Sequence, residues 1–155
     1  MNRRRHPLLA AAIVLAAAAL ALAGCGGPSK GDYEDGLGRV QAQLEDANDA
    51  SREASGTTDA DERSAALGRA QAAIDKAADT ADGLEPPDDA KDEHEQLASA
   101  LRDYADLFGE LAGLEPDDPR QTELYGEAGK IVERLDDANR SLDEAGYRVP
   151  GGDDE

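Results

Sequence analysis

Four segments of the chain space their apolar residues alternately three and four apart. The first carries Tyr33, Leu37, Val40, Leu44, Ala47, Ser51 and Ala54. The second carries Leu67, Ala70, Ile74, Ala77 and Ala81, with Ala60 in the same frame one heptad before Leu67. The third has Ala90, His94, Leu97, Leu101, Tyr104, Phe108 and Leu111, and the fourth Leu124, Ala128, Ile131, Leu135, Ala138, Leu142 and Ala145. A 3.5-residue period puts one narrow stripe on each helix, as in bundles and coiled coils. The spacing predicts helices over roughly 32–55, 59–82, 88–112 and 119–145.

The ends agree with the stripes. Each segment stops at a glycine, Gly56, Gly83, Gly113 or Gly146, a residue that takes the left-handed conformation past a helix end at little cost. Apolar Leu84, Leu114 and Tyr147 follow three of them, as a Schellman cap wants, and Pro86, Pro116 and Pro150 bar continuation. Asp118, Pro119 and Gln121 offer an N-cap, a first-turn proline and a capping-box partner. Thr58 or Asp59 can cap the second helix, with Glu62 three residues after Asp59. Asp88 and Asp89 open the third, where the helix dipole favours negative charge. Short connections make neighbouring helices antiparallel. The expected fold is all-α: an antiparallel up-down-up-down four-helix bundle with an Ala-rich core over residues 32–146, preceded by a signal peptide. Leu37-Gly38-Arg39 with Gln41-Ala42 recurs as Leu67-Gly68-Arg69 with Gln71-Ala72, and Gly83-Leu84-Glu85-Pro86 as Gly113-Leu114-Glu115-Pro116. Duplication of a helix-turn unit and convergence of similar helices both give such strings.

Ahead of the stripes stands a different pattern. Arg3, Arg4, Arg5 and His6 form a basic head, and Leu8–Ala23 is an apolar run of 16 residues. That is short for a membrane span, which needs about 20, and the order of basic, apolar and small residues is that of a secretory signal. On these residues the segment reads as a plain signal peptide, a signal anchor or a lipoprotein signal. The chain's one cysteine, Cys25, closes the run. Leu22-Ala23-Gly24-Cys25 resembles the lipobox of bacterial lipoproteins. The resemblance implies cleavage before Cys25, a diacylglycerol on its thiol and acylation, palmitate included, of the new amino terminus. Each buried methylene then contributes about 0.8 kcal/mol to membrane attachment. The organisation it implies is a signal peptide over 1–24, a lipidated Cys25 with a short flexible linker over 25–31, the bundle over 32–146 and an acidic flexible tail over 147–155. The protein would sit on the outer face of the cytoplasmic membrane.

Removing 1–24 takes three of the 16 basic residues and none of the 35 acidic ones, so the mature net charge is −22. Such a surface repels nucleic acid and anionic lipid. Leu, Ile, Val and Phe make up only 18 of the mature residues, a poverty that with high charge points towards disorder unless the arrangement is regular. A stability that is modest and helped by salt is expected. Arginine exceeds lysine, and Ala, Gly and Asp abound, as in a GC-rich bacterium; a halophile would show the same acid excess. Leu84-x-Pro86-Pro87 followed by His94 and Leu97 resembles a pattern in small uncharacterised actinobacterial helical lipoproteins, which implies no activity.

Little of the sequence carries reactive chemistry. His94 is the one histidine after the signal, a weak metal candidate that more simply packs on its stripe or bonds a loop carbonyl or carboxylate. A ferritin-like site needs Glu three residues before it, where Lys91 stands, and a phosphotransfer histidine normally has Lys where Leu97 stands. Asp88-Asp89, Asp117-Asp118, Asp136-Asp137 and Gly151-Gly152-Asp153-Asp154-Glu155 lack the spacing of a calcium loop. No nucleophile elbow, phosphate loop or dinucleotide fingerprint occurs. The expectation is a non-enzymatic, cofactor-free interaction module. Its partners would be the bilayer, through the acyl chains on Cys25, and an extracytoplasmic protein or envelope component with a basic contact surface. Weak cation binding near the membrane is the alternative.

Overall fold

A computed structural model describes residues 29–115 and 118–149. The signal segment, the lipobox residues Leu22, Ala23, Gly24 and Cys25, and Pro116, Asp117 and Pro150 to Glu155 lie outside the described residues. Four helices form: α1 (Lys30–Gly56), α2 (Ala60–Asp82), α3 (Lys91–Ala112), entered through a 3₁₀ turn at Asp88–Ala90, and α4 (Arg120–Glu144). They make an all-α four-helix bundle. Close backbone packing joins α1 to α2, α2 to α3 and α3 to α4; α1 and α4, the pair that would close the ring, lack it among the described residues.

Local signals explain the starts. Ser29 accepts from the Asp32 amide and so begins α1 two residues before the expected start, drawing Lys30 and Gly31 into the helix. Asp59 accepts from the amides of Asp61 and Glu62, both at 3.0 Å. The carboxylate of Glu62 takes the Thr57 hydroxyl at 2.7 Å instead of returning to the cap amide. At α4, Asp118 accepts from the Arg120 amide at 2.8 Å, while the Gln121 side chain donates to the Glu115 carbonyl rather than closing a box. Asp88 and Asp89 make no cap bond at the 3₁₀ turn.

The expectation of left-handed glycines is corrected at three of four stops. Only Gly146 has positive φ among the described residues, at 89°. There Tyr147 N–H reaches the Leu142 carbonyl and Gly146 N–H that of Asp143, both at 2.8 Å, the paired bonds of a Schellman motif. Gly83 and Gly113 stay right-handed. Leu84 and Leu114 instead tighten the last turn by bonding three residues back, to Ala81 and Leu111. Gly56 ends inside α1, which is capped by extended Thr57. Tyr147, placed with the tail by sequence, is buried, and the Arg148 amide bonds Glu34 of α1 at 2.8 Å.

Size along the stripes sets the packing. The largest fully buried side chains are Tyr33, Leu37, Ile74, Leu97, Leu101 and Leu142. In an antiparallel bundle these gather in the half that holds the start of α1. Gly36 of α1 belongs to the same half, and a Cβ there would overlap the Leu84 methyls of the α2–α3 connection. The ion pairs between helices are exposed: Glu53–Arg69, Asp82–Arg102, Asp103–Arg134 and Glu110–Arg120. Each contributes at most about 1 kcal/mol. They stitch α1 to α2, α2 to α3 and α3 to α4; none among the described residues joins α1 to α4.

Two glycines therefore respond oppositely to a methyl group. Gly36→Ala should destabilise the bundle by about 1–3 kcal/mol through overpacking against Leu84. Gly68→Ala, which meets open space, should stabilise it by about 1 kcal/mol. Urea unfolding of both variants checks the pair.

Candidate functional site

Three places bring side chains together. The first is at the α1-start end of the bundle, where His94 is 8% exposed. Tyr33 Oη lies 3.1 Å from His94 Nδ1. Tyr33 also meets the Tyr147 ring edge to face, with centroids 5.4 Å apart. Tyr147 in turn donates to the Asp89 carboxylate, and Lys30 Nζ stands 5.6 Å from the Tyr147 centroid. Burial, opposed by the Ala81 bond and the Asp82 charge, holds the His94 pKa below its ordinary value. Burial first, then the charges of Tyr147 and Glu93, pushes Tyr33 up, and the bond to Asp89 pushes Tyr147 up to about 12. All three groups are therefore neutral at neutral pH. This cluster joins α1, the turn that enters α3, α3 itself and the segment after α4; it is a structural clasp.

The second place is a surface groove of about 540 Å³ between α3 and α4, lined by Asp92, Glu95, Gln96, Ser99, Arg134 and Asp137. Its guanidinium is spent on Asp103 at 2.6 Å. Among the described residues no group of three or more His, Cys, Asp or Glu side chains could hold a metal ion.

The third is a cleft of about 340 Å³ at the far end, between the last turns of α1 and the start of α4. Ala54, Leu67, Phe108 and Leu111 give it an apolar floor, and Ser51, Ser55, Thr57, Arg63 and Tyr125 edge it. The hydroxyls of Ser51 and Ser55 turn back onto their own helix, to the carbonyls of Ala47 and Ser51. Arg63 is held by neutral partners, the Gln121 amide oxygen at 2.8 Å and the Tyr125 hydroxyl at 3.3 Å. The stripe explains the opening. Along α1 it runs from Tyr33, Leu37, Val40 and Leu44 to Ala47, Ser51 and Ala54, so the upper half has too little side chain to reach α4.

Of the residues weighed for chemistry in the sequence, His94 and Asp89 fall in the clasp and Asp137 lines the groove; the lipobox residues lie outside the described residues. The Tyr33–Tyr147–Asp89 partners and the cleft were not read from the sequence. The decline from Leu44 to Ala54 was the available signal, but it shows a gap only once α4 is set in register.

The clasp makes stability depend on pH. A histidine with a depressed folded pKa is harder to protonate in the bundle than in the unfolded chain. Its contribution is whole above about pH 6.5 and is lost as the pH falls below that. The stability difference between the native chain and His94→Gln should therefore shrink between pH 7 and pH 5, which cancels the background of titrating carboxylates. Paired urea melts at the two values check this; a constant difference would contradict it. Comparison with known protein families, curated proteins and solved structures yields no match for this chain.

Proposed function

We propose that the chain is a lipoprotein anchored through Cys25 to the outer face of the cytoplasmic membrane, and that its bundle is a non-catalytic interaction module for a basic extracytoplasmic partner. The observation that carries the anchoring is the run of basic head, 16 apolar residues and Leu22-Ala23-Gly24-Cys25. No helix among the described residues is long and apolar enough to cross a membrane. Three residues stand between Cys25 and the Ser29 cap, a reach of at most about 14 Å, which keeps the α1-start end beside the bilayer.

Charge supports the rest. The mature chain at −22 is pushed away from anionic headgroups, and its field attracts basic surfaces and raises their rate of encounter. The clasp lies at the membrane end, buried and internally satisfied. The cleft lies about 33 Å further along α1 by helix rise, turned away from the bilayer.

Cys25→Ala should abolish incorporation of labelled palmitate and move the chain from the membrane fraction to the soluble extracytoplasmic fraction. Metabolic labelling with fractionation reads both, and an unlabelled native chain would overturn the anchoring.

A further inference from the structure

We propose that the open half of the α1–α4 seam receives a basic amphipathic helix of a partner protein. That helix lies along Tyr125, Ala128 and Val132 and sets one large apolar side chain into the cleft over Leu67, Phe108 and Leu111. The inference rests on the interaction-module reading and gives it a surface.

Register defines the surface. Tyr33 meets Tyr147 at one end, and Ser55 and Tyr125 line one cleft at the other. Tyr147 lies past the end of α4, beyond left-handed Gly146, so the cleft alone sets which α4 positions lie near α1. Leu37 and Leu142 are both buried in the half that holds the start of α1. At the cleft end small Ser51 and Ser55 of α1 share the cleft with Tyr125 of α4, and Ala128 and Val132 follow Tyr125 along one face of α4 by helical spacing. Tyr125 and Val132 are 52% and 40% exposed, the exposed large apolar side chains of the described residues. With half-buried Ala128 between them they form a spacing of three and four on one face of α4. Gly129, on the same face, has nothing above it. This is the apolar seam that a helix lying in a groove between two helices covers.

Charge selects the occupant. Glu45 on α1 and Glu133 and Asp136 on α4 border the seam by helical position, all exposed and in no ion pair of the described residues. A second copy would bring another −22 against the first, and residues 150–155 are acidic without a large apolar side chain. A helix with an apolar stripe and lysine or arginine flanks meets both the groove and its rim.

The test uses the mature lipoprotein in nanodiscs. The probe is a fluorescent synthetic helix of leucine and lysine with apolar residues three and four apart, beside a scrambled helix of equal composition. The patterned helix should bind at least about tenfold more tightly than the scrambled one. Tyr125→Ser with Val132→Ser should cost about tenfold or more in affinity for it. Ser51→Leu, which fills the cleft from α1, should abolish binding while raising the melting temperature, a combination that misfolding does not give. Patterned binding untouched by these substitutions overturns the surface and leaves the module reading standing. Equal binding of patterned and scrambled helices reduces the attraction to charge and overturns the surface too. Absence of binding to either overturns both readings, and a dimer of the native chain dispersed by Ser51→Leu would make the occupant a second copy.

Discussion

The shrinking of side chains along one face of α1 is the constraint on which the rest of this structure depends. A four-helix bundle closes only if each helix fills the space facing both neighbours, because interiors pack to crystal-like density and gaps forfeit contacts. Tyr33, Leu37, Val40 and Leu44 meet that demand; Ala47, Ser51 and Ala54 do not. Three interfaces therefore bring backbones close, while α1 and α4 do not pack closely among the described residues and are joined at the α1-start end through Tyr147 and Arg148 of the segment after α4. Alanine elsewhere does not have the same effect. Ala66, Ala70, Ala77 and Ala81 of α2 are buried in an interface where the backbones come close, so small side chains suit it.

The two ends consequently differ in chemistry. At one, Tyr33, His94, Tyr147 and Asp89 form a buried hydrogen-bonded cluster in which burial and bonding favour the neutral forms of the two tyrosines and the histidine. Polar groups buried with their partners satisfied specify a single arrangement, and this one ties the start of α1 to the chain after α4. At the other end, an apolar floor and two uncovered side chains face solvent. A tether at Cys25 fits that division, since it would hold the rigid end near the bilayer and present the open one outward.

Much of the bundle was legible before any coordinates. Stripes of alternating three and four gave the helices to within two residues, counting the 3₁₀ turn that enters α3, because a period of 3.5 is a property of the chain alone. Caps were legible where a side chain reaches its own backbone, as Asp59 and Asp118 do. The glycine stops were right in place, and left-handed only at Gly146; at Gly83 and Gly113 the bonds of Leu84 and Leu114 three residues back tighten the last turn without a left-handed residue. Ser29 was overlooked as a cap because no apolar stripe position precedes Tyr33. The cleft and the Tyr33–Tyr147 contact were not legible, since each depends on how α1 and α4 slide past one another. No local propensity records that register.

Native-state hydrogen exchange probes the central claim most directly, for it measures the opening free energy of each stretch of backbone. An unevenly filled α1 predicts that amides of 37–44 exchange only through global unfolding, while those of 48–55 and of 123–132 exchange through smaller, local openings. Uniform protection along α1 and α4, with every amide sharing one opening free energy, would contradict the account.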